Sequence, residues 1–399
     1  MGTWDNKYLG VAAQYLQFLG TDKATSADIS KQFYNLASTF NVSAGTEFTT
    51  VYLAGLQENF DKTVTAFEDL LRNCKADDEA LKKLLARLQK QRADNKLNKS
   101  MILNGLNSYA LYGAKNPFNY QLTDDELKNL KAQDLVNILH NLVDYKHDII
   151  YYGPQPLATL TPAIARLHKL PAAFTPNPEK VAYAIRQQNN NEVLFANYDM
   201  VQAEINWVRN AGAYNVAQTP IVTLFNNYFG AGGMSGVVFQ TIRESKALAY
   251  STYAIYNTPA KREDPYTFRA YVGTQADKIH EAIAAMNELV NDLPKGEKLL
   301  TDSKQAIRKD IETDRVTDES VIFNYLAAQR LGNSVDTRKA VYTAVDKFTF
   351  DDLKKFAADN IAGKPYTYCV VASEKRVNPE ELKKYGEVKI LTLEQIFGY

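Results

Sequence analysis

One order of elements occurs twice in these 399 residues, and that repetition constrains the fold more than any other feature. Asp61-Lys62 opens a helix after a strand-like stretch, and Asp277-Lys278 does the same 216 residues later. Asp134-Leu135 opens the last helix before a closing strand, and Asp352-Leu353 repeats it at an offset of 218. Near-equal offsets with one element order predict a duplicated unit of about 200 residues. A period that long means two homologous domains, not a solenoid. The expected fold class is α+β, with two homologous domains, each a mainly antiparallel sheet packed with helices.

The first copy reads mostly as helix from Tyr8 to about Tyr145. Leu9, Ala12, Ala13, Leu16 and Leu19 share one helix face, which stops at Gly20. Ser26 caps a second helix. Phe48–Leu53, β-branched and aromatic, reads as a strand. Helices follow from Asp61, Asp77, Asp124 and Ala132, and Asp148–Tyr152 reads as the closing strand. Leu170–Pro178 then carries Pro171, Pro176 and Pro178, a density that favours an extended linker. The boundary falls there, giving domains 1–170 and 179–399.

The second copy opens with strands at Val181–Arg186, Glu192–Phe195 and Ala203–Arg209. Helices are expected near Pro220–Tyr228 and Ser235–Lys246, strands near Tyr250–Tyr256 and Tyr266–Gly273, then four helices and a last strand at Tyr366–Ala372. The first copy lacks two or three such leading strands. Their absence leaves an unpaired sheet edge that needs cover.

Composition removes several function classes. Lys plus Arg and Asp plus Glu number 46 each, so there is no basic excess for nucleic acid or an anionic membrane. No apolar run approaches the ~18 residues of a membrane span. Cys74 and Cys369 are too few for a disulfide framework or a Cys-rich zinc site, and Cys369 sits in an apolar strand, as a buried, inert thiol would. Met1–Asp5 shows no signal-peptide pattern. The compartment stays open between a bacterial periplasm and cytoplasm. No Ser/His/Asp or Cys/His constellation is evident. The stretch Gly230–Gly236 lacks the Gly-Lys-Ser/Thr ending of a P-loop and follows a helix-like run, so it reads as a flexible loop beside the cavity or a helix-to-helix turn. His140, Asp144 and His147 are spaced 4 and 3; they suit one helix face as a metal site, or an exposed histidine pair at a helix end. The basic run Lys82–Lys99 alternates with leucine as a solvated amphipathic face does.

Specific residues carry a resemblance. Gly2-Thr3-Trp4-Asp5 precedes the first helix, and Phe18-Leu19-Gly20-Thr21 ends it; Tyr112-Gly113, Pro117 and Leu122-Thr123 follow. Ser235–Tyr256 reads Ser-Gly-Val-Val-Phe-Gln-Thr-Ile-Arg-Glu-Ser-Lys-Ala-Leu-Ala-Tyr-Ser-Thr-Tyr-Ala-Ile-Tyr. With the duplication, this resembles the pitrilysin/insulysin-type zinc peptidases, the inverzincins, and their mitochondrial processing peptidase relatives. The resemblance covers nearly the whole chain.

The resemblance implies an H-x-x-E-H helix followed by x-x-F-x-G-T. Counted back from Thr21, the motif positions fall on Val11, Gln14 and Tyr15. Valine offers zinc no donor, and glutamine cannot take a proton from water. The family's third ligand, a Glu on a later helix, has no counterpart, since Lys82–Ala93 contains no Asp or Glu. The resemblance also implies a clamshell of two halves, one of which has lost zinc but completes the chamber and contributes an Arg and a Tyr seven residues apart. Arg243 and Tyr250 have that spacing in the matching stretch. The implied function is a non-catalytic half without a cofactor of its own, which pairs with a partner half that holds zinc to enclose and bind peptide substrates. The alternative is a stand-alone scaffold or assembly subunit. Read without the resemblance, Arg243 is a helix-end cation and Tyr250 one of 25 tyrosines.

Overall fold

The structure is a computed structural model that describes residues 1–231 and 235–399; Gly232, Gly233 and Met234, in the glycine-rich stretch read above as a loop or turn, lie outside the described residues. In chain order the first elements are α1 (Leu9–Tyr15), α2 (Ser26–Asn35), β1 (Thr39–Ala44), β2 (Thr49–Ala54), α3 (Phe60–Asn73), α4 (Asp78–Lys96), α5 (Lys99–Tyr112), α6 (Asp124–Lys128), α7 (Ala132–His140) and α8 (Leu157–Leu167). Then come β3 (Glu192–Asn197), β4 (Gln202–Ala213), α9 (Thr219–Asn226), β5 (Ser251–Asn257), β6 (Pro265–Gln275), α10 (Ile279–Asn291) and α11 (Glu297–Thr313). The last are α12 (Ser320–Arg330), α13 (Thr337–Ala344), α14 (Phe350–Asn360), β7 (Thr367–Ala372), β8 (Glu387–Ile390) and α15 (Leu393–Phe397). This is an α+β chain. It divides into two compact units: residues 1–95, 120–183 and 398–399 form the first, and 96–119 and 184–397 the second.

Unit 1 is a helical layer with one antiparallel ribbon, β1 paired to β2 from Thr39 opposite Ala54 to Ala44 opposite Thr49. Leu16, Phe33, Phe67, Leu70, Leu135 and Leu139 meet in its core. Helix starts are written locally. Thr25 and Asp28 form a reciprocal capping box at α2, and Thr123 and Glu126 form another at α6.

Unit 2 is built on a six-stranded sheet in the order β5-β6-β4-β7-β3-β8. The pairs from β5 through β7 are antiparallel, while β3 runs parallel to both β7 and β8. β7 (Thr-Tyr-Cys-Val-Val-Ala) is buried at every residue, as a central strand covered on both faces must be. The two-residue period of β4 separates the layers. Asn206 donates to Asn107 of α5 at 3.0 Å, and its neighbour Trp207 donates to Asn287 of α10 at 2.7 Å. Phe225, Tyr256, Phe268, Met286 and Phe356 fill the layer on Trp207's face. Both thiols are buried, Cys74 in unit 1 and Cys369 in unit 2. Burial raises the Cys74 thiol to about 11, and burial raises that of Cys369 as well.

Two expected strands do not form, and one expected helix takes another form. Asp148–Tyr152 forms no strand; nearby, Tyr145 makes only a single parallel bridge to Thr175. Val181–Arg186 is likewise outside any ladder. The helix expected over Ser235–Lys246 becomes a wider π-helical turn at Phe239–Ser245.

Phe225 is 1% exposed and packs on Phe229 and Phe356 at ring distances of 5.1 Å. Phe225→Ala should therefore destabilise unit 2 by about 3–5 kcal/mol in denaturant unfolding, whereas Tyr34→Ala, on an exposed face, should stay within about 0.5 kcal/mol.

Candidate functional site

Val11, Gln14 and Tyr15 lie on α1, and each is committed to something other than metal. Val11 is core, at 7% exposure. The Gln14 carbonyl oxygen accepts a hydrogen bond from Arg87 of α4 at 3.1 Å, and the Arg87 guanidinium lies 5.4 Å from the centre of the Phe18 ring. The Tyr15 hydroxyl donates to the Asp77 carbonyl at 2.6 Å and accepts from the Asp77 N–H at 2.8 Å. Burial, the largest influence, raises the Tyr15 phenol; the Asp77 N–H bond offsets part of that rise, and the charges of Asp77 and Asp78 add smaller increases. This donor set does not fit zinc: an aliphatic group, an amide, a protonated phenol and a guanidinium supply no anionic or imidazole ligand. Among the described residues no group of three or more His, Cys, Asp or Glu side chains could hold a metal ion.

Arg243 stands in the last turn of the π-helical segment, and Tyr250 lies immediately before β5. Between them Ala247 takes φ +49°, a left-handed conformation uncommon for a residue with a Cβ. That turn reverses the chain. The Tyr250 N–H then donates to Gly273 at 2.9 Å, which ties it to the end of β6. The Tyr250 hydroxyl accepts from Gln275 at 2.9 Å, and its side chain is half exposed. Tyr250 lines a concavity of about 840 Å³ together with Lys99, Gln202, Gln275, Lys375 and Arg376, among others. Arg243 is not among the residues that line it. Its guanidinium lies 4.8 Å from the Phe239 ring centre and 3.9 Å from Glu244.

Sequence reading missed the rest of this wall, because it comes from separate strand ends and one helix start with no local signature. Lys99, at the first turn of α5, bonds Gln202 and the buried Glu204. The Tyr271 hydroxyl donates to the same carboxylate; burial first, and Glu204 second, raise that phenol.

The spacing of His140, Asp144 and His147 does not gather them. The His140 ring bonds the Cys74 carbonyl at 3.0 Å. His147 instead meets His168, with 2.8 Å between their Nε2 atoms, and His168 Nδ1 lies 2.6 Å from Glu68. Burial pushes the Glu68 carboxyl up, but hydrogen bonds and charge from His168 and Arg72 outweigh it and hold the group below its ordinary value. The cluster fastens the segment around α8 to α3.

Two family descriptions match the sequence. "Insulinase (Peptidase family M16)" matches residues 5–119, and "Peptidase M16 inactive domain" matches residues 149–306. An uncharacterized zinc protease, YmxG of Bacillus subtilis, is 23% identical over 312 residues, 74% of this chain and 71% of its own length. A solved peptidase M16 inactive domain from Pseudomonas fluorescens superposes with a TM-score of 0.69 at 14% identity, covering 95% of this chain and 92% of that one. The periplasmic protease PqqL of Escherichia coli gives a TM-score of 0.68 at 12% identity, covering 94% of this chain but only 41% of that one. At these identities the likeness to solved structures is one of fold.

Two outcomes are expected. Tyr15→Phe removes both hydrogen bonds to Asp77 and should cost about 1–3 kcal/mol in unfolding without changing metal content, which stays far below one zinc per chain in elemental analysis. Glu68, lowered in the folded state, contributes stability that is present above its unfolded value and is lost as pH falls through the folded one. Acid titration followed by hydrogen exchange should therefore loosen α8 in wild type, and the acid-dependent change should be smaller in Glu68→Gln.

Proposed function

The chain belongs to the pitrilysin/insulysin-type peptidase family, and from that premise we propose that it is the zinc-free half of a two-half peptidase. In this reading it encloses and binds peptides, while a zinc-bearing half cleaves them. Residues 1–170 and 179–399 are then the two peptidase-like copies. The observation that carries the reading is the state of α1: the family fold extends over the chain, yet Val11, Gln14 and Tyr15 are all engaged in packing or in bonds to Arg87 and Asp77. A chain that spans 41% of PqqL supports a half-molecule.

Peptide hydrolysis builds negative charge on the carbonyl oxygen, and a guanidinium and a phenol are donors for that charge or for the peptide backbone. Tyr250 offers a half-exposed hydroxyl on the wall of the concavity, and Arg243 is half exposed on the preceding turn. No described helix is long and apolar enough to cross a membrane. A scaffold or assembly subunit is the second reading, and α12 favours it. That helix buries none of its residues and exposes Val321, Phe323 and Tyr325.

The test is peptidase activity of this chain reconstituted with a zinc-bearing half, after association is confirmed. If the pair stabilises transition-state charge, Arg243→Ala and Tyr250→Phe each lower kcat by about 100–1,000-fold with little change in KM. If the pair holds substrate, KM carries the effect. Wild-type rates from both variants would remove Arg243 and Tyr250 from the site and leave the scaffold reading.

A further inference from the structure

Unit 1 holds two imidazole rings in an arrangement that the fastening of α8 does not by itself require. His168 is the residue that ends α8, and its N–H donates to the Ile164 carbonyl at 2.8 Å. His147 follows Tyr145, which bridges to Thr175, and its ring stands edge-on to that of Phe174 at a centre distance of 5.9 Å. The two histidine rings lie at 81° to each other, with centres 4.9 Å apart and Nε2 atoms 2.8 Å apart.

A hydrogen bond on the far side of each ring fixes its tautomer. His147 Nδ1 lies 2.7 Å from the Tyr145 carbonyl oxygen. A carbonyl can only accept, so this Nδ1 carries a hydrogen. His168 Nδ1 lies 2.6 Å from Glu68. The Glu68 carboxyl, held below its ordinary value, is ionised at neutral pH and can likewise only accept. With both Nδ1 atoms donating, each neutral ring carries its lone pair on Nε2. Two lone pairs therefore meet across 2.8 Å. They repel unless an electron-pair acceptor, a proton or a metal ion, joins them.

The outer partners are those of metal-binding histidines, which donate the second ring N–H to a carboxylate or a backbone carbonyl and gain orientation and basicity from it. His168 has the carboxylate and His147 the carbonyl. The carboxylate is itself held, because Arg72 bonds Glu68 at 3.0 Å and also reaches the Lys169 carbonyl. His147 is exposed, which leaves an ion a way in. The donor spacing selects among metals. With metal–nitrogen bonds of about 2.0 Å, donors this close subtend about 90° at the ion, whereas a tetrahedral ion needs them roughly 3.3 Å apart. Right angles are the adjacent positions of a square-planar or octahedral ion.

We propose that His147 and His168 bind one divalent copper or nickel ion through their Nε2 atoms, with Glu68 as the positioning residue. Among the described residues no group of three or more His, Cys, Asp or Glu side chains gathers to hold an ion, so water fills the remaining positions. Two protein ligands are fewer than a retained zinc takes, and the ion exchanges freely with solution. When bound, it ties the stretch after α7 to the end of α8.

The probe is nickel chloride, titrated calorimetrically into the chelator-stripped full chain at about pH 8, where imidazole is free to bind metal. The expected result is saturation at one ion per chain, with slower amide exchange around Leu157–Leu167. His147→Ala, at an exposed position, and His168→Ala should each weaken binding at least about tenfold, and Glu68→Gln, which keeps an acceptor but loses the charge, about tenfold. Unchanged exchange in unit 2 and in α3 shows that the variants fold. Copper chloride should bind more tightly than nickel, and zinc chloride more weakly. Absence of saturable nickel binding would overturn the proposal and leave a proton as the bridge. Binding undiminished in His147→Ala or His168→Ala would overturn it by placing the ion elsewhere, and tighter binding of zinc than of nickel would overturn the assignment of the ion.

Discussion

A strand inside a sheet must find a neighbour for each of its two edges, and β4 meets that requirement for unit 2. It joins the antiparallel pair β5–β6 to the strands β7, β3 and β8, which run parallel to one another. It also addresses both layers, with Trp207 bonded to α10 and Asn206 to α5. The fully buried β7 depends on this, since its backbone polar groups can be paired only within the sheet. In unit 1 the corresponding hairpin, β1–β2, pairs with no further strand among the described residues. Its stability rests instead on helices packed around Phe33 and Phe67, with Phe40 of β1 in ring contact with both.

What the sequence made legible was local. The helices at Ser26, Asp124 and Phe350 were legible as helices, though the cap of the first is Thr25 and not Ser26; Thr25, Thr123 and Thr349 each form a capping box with the Asp or Glu three residues on. The duplication was legible because it needs only element order and spacing. The strands β3 to β7 were legible too, but sequence did not tell them from strand-like stretches that the fold leaves unpaired. Asp148–Tyr152 has the composition of a strand, but composition does not provide a ladder partner. The histidines show the same limit. Spacing grouped His140 with His147, while the fold pairs His147 with a residue 21 positions later. The wall around Tyr250 was hidden for the same reason, since Lys99, Gln275 and Arg376 come together only in space.

The altered α1 is more than the loss of metal donors. Gln14 is bonded to a residue 73 positions away, and Tyr15 clamps the backbone just before α4 begins. The surface where the family resemblance places zinc chemistry has become a seam between two helices. Motif reading found the missing donors at Val11, Gln14 and Tyr15. It did not find Arg87, because a seam is defined by both of its sides. Ala247 is a further case: its left-handed backbone sets the direction in which Tyr250 leaves the turn, and nothing in the side chain of alanine advertises it.

The two thiols give the molecule a property of a different kind. Each compact unit holds one cysteine, both are sealed from solvent, and burial keeps both protonated and unreactive. A thiol-specific reagent can reach Cys74 only when unit 1 opens, and Cys369 only when unit 2 opens. The chain thus carries a separate clock for each half. Labelling rates at the two sites would time the breathing of one unit against the other without a single engineered residue.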